Sequence, residues 1–197
     1  SERWLAVHRA FSPFINDSSC RALYDWIAAQ AAARIKECNV HVVGLGCGSG
    51  AKDSMLLEKL NTPVYWPVDI SQGLVLEAVA NSSALSNHPL VLDLARARDI
   101  GRFFDDQIPG DSRRVYTLFG LLPNFDPKTL PEQLRRFLKS GDFLLFSANL
   151  APGDDYAAAV ERIMPQYDNS ITRDWLTGAL SEIGIPVAEG NLVFEQE

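Results

Sequence analysis

The sequence predicts an α/β fold, a doubly wound and mostly parallel sheet with helices on both faces. Apolar runs alternate five times with segments of helical periodicity between residues 40 and 150. Strands that are apolar along their whole length are typical of a parallel sheet buried on both sides. The first run leads through closely spaced glycines into a helix, which is the opening order of a Rossmann-like unit. We therefore predict a Rossmann-like domain.

The predicted elements follow one another in regular order. Apolar residues recur at helical spacing after the N-cap candidates Asn16, Asp17 and Ser18, which predicts the first helix. The aromatic stretch from Trp4 to Phe14 is expected to pack at the edge of the core or on chain outside this sequence. Strands are predicted at 40–45, 64–69, 89–93, 114–119 and 142–149, and helices at 16–36, 52–60, 74–80, 97–105 and 130–138.

The alternation stops near residue 151, where the pattern becomes helical. Two further helices are predicted, at 154–164 and 171–183. A short strand-like run from Asn191 to Glu195 meets the end of the sequence, so the β-rich end of a complete doubly wound domain is missing or barely begun. We expect either that the natural chain continues past Glu197 or that this sequence is an excised domain. The predicted domains are residues 1–150, the Rossmann-like domain with 1–39 as its helical lead-in, and residues 151–197, the start of a substrate domain.

The composition argues against several classes of function. The chain of 197 residues carries a net charge of −7, and an acidic surface repels phosphate backbones, so nucleic acid is not an expected partner. No apolar run is long enough to span a bilayer, and the first residues lack the pattern of a signal peptide. We therefore expect a cytoplasmic location and no membrane partner. The sequence predicts no oligomeric state.

The cysteines, histidines and arginines do not form a recognisable site. Three cysteines without regular spacing argue against a disulfide framework and a zinc site, and the three histidines are isolated, so no metal is predicted. A short cluster of arginines is interpreted as a solvated face. These residues are Cys20, Cys38, Cys47, His8, His41, His88, Arg96, Arg98, Arg102, Arg113 and Arg114.

The glycines after the first strand predict a ligand site. Gly44, Gly46, Gly48 and Gly50 occupy alternate positions. Glycine adopts positive φ and lets a ligand approach the main chain, and a helix N-terminus offers free N–H groups to an anion. A tight turn without a ligand is the alternative, but four glycines exceed what a turn needs. The dinucleotide-binding pattern G-x-G-x-x-G/A fits only if it is read as Gly46, Gly48 and Ala51. The pattern G-x-G-x-G fits without such a shift, and it is the pattern of class I methyltransferases, which bind S-adenosylmethionine.

Two aspartates end the second and third predicted strands. Asp69 is placed to accept hydrogen bonds from both ribose hydroxyls of a nucleotide-like ligand, a feature that fits NAD and S-adenosylmethionine equally. Asp93 is placed to accept a hydrogen bond from an adenine amino group. The alternative for either carboxylate is to cap the helix that follows it.

The segment after the fourth predicted strand runs from Phe119 to Phe125, at the edge where open α/β sheets bind ligands. Within it, Asn124 can donate and accept hydrogen bonds, which suits holding an amine or an imidazole. The alternative is a turn asparagine beside a core phenylalanine. We predict that Asn124 lies over the reacting end of the cofactor and orients the nucleophile.

Several segments, taken together and in order, carry a family resemblance. They are Val43–Lys52, Tyr65–Ser71, Leu118–Phe125 and Gly141–Leu150, with the run Gln166–Thr172 after them. This ordered set resembles the histidine-specific, S-adenosylmethionine-dependent methyltransferase family, which includes the ergothioneine-pathway enzyme that forms trimethylhistidine. The run at 166–172 is similar to the segment with which that family enters its substrate domain.

The resemblance implies S-adenosylmethionine as the cofactor and assigns roles to particular residues. The glycine loop would face the methionine part of the cofactor, Asp69 would hold its ribose and Asp93 would face its adenine. Asn124 would contact the substrate and act in catalysis. The implied cofactor residues are Gly44, Gly46, Cys47, Gly48, Lys52, Asp69, Ile70, Asp93, Leu94 and Phe119, and the implied substrate residues are Asn124, Phe125 and Tyr167.

The sequence thus predicts a methyltransferase that N-methylates a small-molecule substrate: histidine, a related amino acid or a small amine. Methyl transfer from a sulfonium needs an aligned, unprotonated nucleophile more than acid–base groups, so no catalytic triad is expected. One alternative is a methyltransferase-like module that binds the cofactor without catalysis. The other is an NAD-dependent oxidoreductase, for which we find no catalytic Tyr-x-x-x-Lys.

Overall fold

The computed structural model describes residues 2–35, 39–97, 99–122, 125–126, 128–148, 150, 153–182, 184–185 and 192–194. The described helices are α1 (Glu2–Phe11), α2 (Pro13–Asn16), α3 (Ser18–Arg34), α4 (Ala51–Leu57), α5 (Gln72–Ala80), α6 (Ile100–Gln107), α7 (Leu130–Arg135), α8 (Tyr156–Tyr167) and α9 (Ser170–Glu182). The described strands are β1 (Val40–Leu45), β2 (Val64–Asp69), β3 (Ser86–Asn87), β4 (Leu90–Val91), β5 (Arg113–Phe119) and β6 (Phe143–Ser147).

The described strands form one parallel sheet. β1 pairs with β2 and β5, β5 pairs with β6, and β2 pairs with both β3 and β4. The order across the sheet is therefore β3-β2-β1-β5-β6, with β4 also on β2. The winding reverses between β1 and β5, and the carboxyl ends of strands at such a switch point are where open α/β sheets bind ligands. The predicted doubly wound α/β fold is confirmed.

Two hydrophobic cores lie on opposite faces of the sheet. One contains apolar residues of α3, α4 and α5, and the other contains residues of α6 and the segment after α7. Because each central strand contributes to both cores, its sequence is apolar throughout. The first core contains Ala28, Ala31, Ile35, Val40, Val42, Leu56, Leu57, Tyr65, Ala78 and Val115. The second contains Val43, Leu45, Trp66, Val68, Ile100, Phe104, Ile108, Tyr116, Leu118 and Phe137.

The third predicted strand, at 89–93, is wrong in its bounds. The chain instead pairs with β2 in two short pieces, β3 and β4. The register that pairs Val68 with Leu90 places Pro67 opposite Pro89. Neither proline has an N–H to donate, so the hydrogen-bond ladder is interrupted between the two pieces.

The N-terminal aromatic stretch, for which the sequence predicts no element, forms two helices. Glu2–Phe11 is α1, and a short α2 follows after Ser12. Within α1, the rings of Trp4 and His8 stack with centroids 4.8 Å apart. This pair is separated by one helical turn, the spacing at which side chains on one face of a helix meet.

The arginine cluster is not uniformly solvated. Arg114 lies on the central strand β5 and is buried, and its Nη1 donates a hydrogen bond to Asp105 Oδ1 at 2.7 Å. Lys139 Nζ is 2.6 Å from the same oxygen. The hydrogen bonds from Lys139 and Arg114 lower the pKa of the Asp105 carboxyl. The interpretation of a solvated face is therefore wrong for Arg114.

Two histidines predicted to be isolated lie on either side of Trp66. The Trp66 ring stacks on His88 with centroids 4.2 Å apart, and its Nε1 donates a hydrogen bond to His41 Nδ1 at 3.0 Å. His41 is buried. Burial lowers the pKa of His41 below its ordinary value of 6.5, and the charges of His88 and Arg114 act in the same direction.

The lowered pKa of His41 predicts a loss of stability in mild acid. The His41 side chain takes up a proton near pH 6.5 in the unfolded chain but only at lower pH in the folded chain. The stabilisation of the fold by neutral His41 is therefore full above pH 6.5 and is lost as pH falls through the folded-state pKa. Each unit by which the pKa of His41 is lowered corresponds to about 1.4 kcal/mol of folding free energy. The His41→Gln variant keeps an acceptor for Trp66 but does not titrate.

Thermal unfolding from pH 8 to pH 5 checks this prediction. The melting temperature of the unmodified protein should fall more steeply below pH 6.5 than that of the His41→Gln variant. Parallel curves for the two proteins would show that His41 does not carry the acid sensitivity.

The described contacts divide the chain into two compact units. One unit, Ala22–Ala148, contains the sheet, and the other combines Ser1–Arg21 with Asn149–Glu197. In the second unit α1 packs against α9, and Arg3 Nε lies 3.2 Å from Asp174 Oδ2. The division into a Rossmann-like domain and a substrate domain stays a prediction.

Candidate cofactor site

The glycine loop joins β1 to α4 at the switch point of the sheet. Gly46, Gly48 and Gly50 have φ angles of 65°, 54° and 74°, a region that glycine adopts without strain. A Cβ on Gly46 would come within 2.5 Å of Leu121 Cδ2. Both the backbone conformation and the close approach therefore require glycine here.

Asp69 ends β2 and closes this loop. Its Oδ2 accepts a hydrogen bond from the Gly48 N–H at 3.1 Å, and its Oδ1 accepts one from the Ser71 N–H at 2.9 Å. The Cys47 N–H donates to the Val68 carbonyl at 3.0 Å, which ties the loop to β2 a second time. A carboxylate has about four lone-pair sites, so Asp69 retains acceptor capacity for hydroxyl groups of a ligand.

A buried carboxylate that the sequence analysis missed lies beneath the loop. Asp53, in the first turn of α4, accepts hydrogen bonds from the hydroxyls of Tyr65 and Thr117, each at 2.6 Å. A Cβ on Gly44 would collide with this carboxylate. Burial raises the pKa of Asp53, and the two hydroxyl hydrogen bonds oppose that rise. One side chain thus links α4 to β2 and β5 and lies against β1.

Lys52 and Phe119 are brought together by Tyr24 of α3. Lys52 Nζ lies 5.1 Å from the centroid of the Tyr24 ring, a cation–π distance, and 3.4 Å from the place of a Cβ on Gly120. Tyr24 meets Phe119 edge to face with centroids 5.5 Å apart, and its hydroxyl is 2.6 Å from Ser147 Oγ. The carboxyl ends of β5 and β6 and the start of α4 therefore meet at Tyr24, which the sequence analysis also missed.

Cys47 lies inside the loop with its thiol held protonated. Burial raises the pKa of this thiol well above its ordinary value of 9.0, and the negative charges of Asp53 and Asp69 raise it further. Its Sγ donates to the Gly48 carbonyl at 3.5 Å. The side chain is partly buried and packs against the core formed with α3, α4 and α5.

Asp93 follows β4 and is engaged within its own turn. Its Oδ1 accepts a hydrogen bond from the Ala95 N–H at 3.0 Å, and its Oδ2 lies 3.4 Å from Arg96 Nε. These contacts are those of a turn-capping carboxylate. The role of Asp93 toward adenine stays a prediction.

Leu94 and Phe125, predicted on the cofactor and substrate sides, line the same small cavity, whose walls are mostly apolar but include Arg136. Leu45 on β1 and Leu118 on β5 also line it, on the face of the sheet that α6 and α7 cover. Gln133 of α7 lines the same cavity. Its Oε1 is buried and has no hydrogen-bond partner among the residues that the structure describes.

The remaining predicted residues lie elsewhere. Ile70 follows β2 with its side chain 69% exposed. Tyr167 is exposed at the end of α8, in the unit that combines the two ends of the chain. Asn124 lies outside the described residues. The catalytic and substrate roles of Asn124 and Tyr167 stay predictions.

Neither a metal-binding cluster nor a membrane-spanning helix occurs in the part of the chain that the structure describes. No group of three or more histidine, cysteine, aspartate or glutamate side chains there could hold a metal ion. Among the described helices, none has both the length and the apolar character needed to cross a membrane.

The arrangement is that of a class I methyltransferase: a parallel sheet with a glycine loop after β1 and an acid at the end of β2. The plantazolicin methyltransferase BpumL in complex with SAH matches with a TM-score of 0.57 at 14% identity, over 89% of this chain and 61% of its own. BamL, also a plantazolicin methyltransferase, matches with a TM-score of 0.56 at 11% identity, over 89% of this chain and 59% of its own. A SAM-dependent methyltransferase from Leishmania major matches with a TM-score of 0.52 at 12% identity, over 84% of this chain and 70% of its own.

The model of the histidine-specific, SAM-dependent methyltransferase family matches residues 21–181. The chain belongs to this family, and the predicted family and its cofactor, S-adenosylmethionine, are confirmed. No curated protein sequence matches the chain significantly. The chain spans about three fifths of the length of the plantazolicin methyltransferases that it matches.

The residues at the carboxyl edge of the sheet fit S-adenosylmethionine. The loop of Gly46, Gly48 and Gly50, all at positive φ, leads into the N-terminus of α4, where main-chain N–H groups suit a carboxylate group. Asp69 keeps lone pairs for ribose hydroxyls.

Sequence reasoning missed Asp53, Tyr24 and Gln133 for different reasons. The sequence contains an indication for Asp53, because an acidic residue in the first helical turn after a glycine loop faces the core when the next strands offer hydroxyl donors. Tyr24 and Gln133 are single polar residues in helical patterns. Their place at the site follows only from how α3 and α7 pack on the sheet.

Proposed function

We propose that the protein transfers a methyl group from S-adenosylmethionine to a nitrogen atom of histidine, a related amino acid or a small amine. The observation that carries this proposal is the family match over residues 21–181, a range that includes the whole of the sheet-bearing unit. The glycine loop closed by Asp69 supports it, because main-chain groups and a carboxylate lie together at the carboxyl edge of the sheet, where open α/β sheets bind ligands.

When bound, S-adenosylmethionine supplies an electrophilic methyl group on its sulfonium. The chain has to hold the acceptor nitrogen unprotonated, in line with that group and shielded from water. Asn124 follows β5 in the segment between Phe119 and Phe125. An amide there can accept a hydrogen bond from one nitrogen of an imidazole or an amine, which directs the lone pair toward the methyl group. Asp69 and the loop would keep the cofactor fixed meanwhile.

A methyl-transfer assay with labelled S-adenosylmethionine tests the proposal. The panel of acceptors contains histidine, other amino acids and small amines. Because BamL is crystallised with a triazolic desmethylPZN analog, that analog is added to the panel. Labelled product from a nitrogen acceptor supports the proposal. Tight binding of the cofactor without transfer to any member of the panel would instead indicate a binding module.

The Asn124→Ala variant is expected to lose about tenfold in kcat/KM with the nitrogen acceptor, because one orienting hydrogen bond is worth up to about 1.5 kcal/mol. Cofactor affinity should be unchanged. The exposed Asn61 provides the matched control, and the Asn61→Ala variant should behave as the unmodified protein does. Unchanged kcat/KM in the Asn124→Ala variant would contradict the role of this side chain.

A further inference from the structure

The ring of Tyr24 is held in one orientation at the carboxyl edge of the sheet. The side chain is buried, and its ring meets Phe119 edge to face with centroids 5.5 Å apart. Its hydroxyl shares a hydrogen bond of 2.6 Å with Ser147 Oγ. These contacts fix the ring against the ends of β5 and β6, and the proposed methyl transfer assigns no role to it.

The ammonium of Lys52 lies over the face of this ring. Lys52 Nζ is 5.1 Å from the centroid of the Tyr24 ring, a distance at which the negative face of an aromatic ring attracts a cation. A lysine stem is flexible and loses conformational freedom when a ligand binds its ammonium. Because the fixed ring already holds the ammonium, less of that freedom is lost on binding.

The position of this ammonium along the sheet indicates which part of the cofactor it meets. Asp69 ends β2 on one side of β1, whereas Lys52 Nζ lies beside Gly120, just past the end of β5 on the other side. With adenine predicted at Asp93 after β4 and the ribose at Asp69, the methionine part extends past β1 toward Lys52. The methionine carboxylate is the negatively charged group of the cofactor, and a nearby ammonium attracts it.

We propose that Tyr24 is a positioning residue, which holds the Lys52 ammonium in place to bind the methionine carboxylate of S-adenosylmethionine. The ring attracts the ammonium without neutralising its charge, so the charge remains available to the carboxylate. The inference rests on the proposed function, since it concerns the cofactor of that reaction. The effect of Tyr24 on affinity therefore depends on the carboxylate of the ligand and on the electron density of the ring.

The experiment compares S-adenosylhomocysteine with decarboxylated S-adenosylhomocysteine, which lacks only the carboxylate. Both are titrated calorimetrically into the full chain and into variants at position 24. Tyr24→Phe keeps the ring, the same variant with a fully fluorinated ring keeps its shape but reverses the charge of its face, and Tyr24→Leu removes the ring. Tyr156→Leu, at an exposed tyrosine that begins α8, is the matched control. Thermal unfolding of each unliganded variant is measured in parallel.

The unmodified protein should bind S-adenosylhomocysteine at least about tenfold more tightly than the decarboxylated ligand, because an ion pair is lost. Tyr24→Phe and Tyr156→Leu should keep this affinity to within about twofold. Tyr24→Leu and the fluorinated variant should each lose about tenfold for S-adenosylhomocysteine and little for the decarboxylated ligand. The fluorinated variant keeps the packing of the ring, so it remains informative where Tyr24→Leu unfolds.

A double-mutant cycle with Lys52→Met tests whether Tyr24 acts through the ammonium. Lys52→Met should bind the two ligands with nearly equal affinity. Adding Tyr24→Leu to Lys52→Met should then cost S-adenosylhomocysteine little further affinity, since the two side chains act as one unit. A merely structural tyrosine would instead weaken both ligands alike, with or without Lys52.

Different results overturn different claims. An equal loss for the two ligands in Tyr24→Leu, or unchanged affinity in the fluorinated variant, overturns the role of Tyr24 and leaves the proposed function standing. Equal binding of the two ligands by the unmodified protein has the same meaning. Failure of the unmodified protein to bind S-adenosylhomocysteine overturns the proposed function and the role of Tyr24 together.

Discussion

Replacing Asp69 with alanine is expected to weaken the binding of S-adenosylhomocysteine by about 100-fold or more. Hydrogen bonds to a charged group contribute about 1.5–3 kcal/mol each, and we predict that the carboxylate at the end of β2 accepts two from the ribose. The same carboxylate accepts from the Gly48 and Ser71 N–H groups. The variant therefore loses the ligand contacts and one of the links that hold the glycine loop. Calorimetric titration measures the loss.

Two controls separate these contributions. Asp93→Ala removes a strand-end aspartate whose carboxylate is engaged in its own turn, and it should weaken binding by less than tenfold. An analogue of S-adenosylhomocysteine without ribose hydroxyls should bind the unmodified protein weakly and should lose little more in Asp69→Ala. If that analogue and the parent ligand lost affinity equally in Asp69→Ala, Asp69 would support the loop without contacting the ribose.

Replacing Asp53 with alanine is expected to lower the free energy of unfolding by about 3 kcal/mol or more. The change leaves the buried hydroxyls of Tyr65 and Thr117 without an acceptor, and each unsatisfied buried donor costs about 1–3 kcal/mol. The two hydroxyls belong to β2 and β5, so the damage reaches the centre of the sheet. Urea unfolding followed by circular dichroism measures the change, with the exposed Asp106→Ala variant as the matched control.

A triple variant tests the cause of this loss. Combining Asp53→Ala with Tyr65→Phe and Thr117→Val removes the unsatisfied donors together with their acceptor. Removing both partners of a buried hydrogen bond costs far less stability than leaving one of them unpaired. The triple variant should therefore be more stable than the Asp53→Ala variant. If the losses simply added, the hydrogen bonds would not be the source of the effect.

The pH dependence of Asp53 has the opposite sign to that of His41. Burial raises the pKa of the Asp53 carboxyl, so the folded chain holds this proton at a pH where the unfolded chain has released it. The stabilising contribution of this group is full below the unfolded pKa, near 3.8, and is lost as pH rises through the folded value. In the Asp53→Ala variant, the loss of stability that this carboxyl causes as pH rises should be absent.

The sequence alone predicts the parallel sheet, the glycine loop and Asp69, because each of these follows from residues that are neighbours along the chain. The break between β3 and β4 does not, since it depends on Pro67 and Pro89 lying opposite each other in register. Arg114 is charged, and its burial depends on Asp105 and on its place in a central strand.

The parts of the site that escaped prediction are contacts between elements distant in sequence. Asp53 meets Thr117 on β5, 64 positions further along the chain. Gln133 reaches the cavity only because α7 packs over the ends of β1 and β5. No local pattern distinguishes Gln133 from a solvent-facing polar residue of a helix, and the position of Asp53 after the glycine loop becomes informative only together with the hydroxyl donors on β2 and β5.

The protonated thiol of Cys47 has a consequence for chemical selectivity. A sulfonium methyl donor alkylates good nucleophiles, and a thiolate is among the strongest that a protein can offer. Burial and the charges of Asp53 and Asp69 keep Cys47 in its weakly reactive thiol form at neutral pH. With its pKa raised in this way, the Cys47 thiol is a poor competitor for the methyl group of a bound S-adenosylmethionine. The carboxylates of Asp53 and Asp69 therefore also lower the reactivity of the thiol near them.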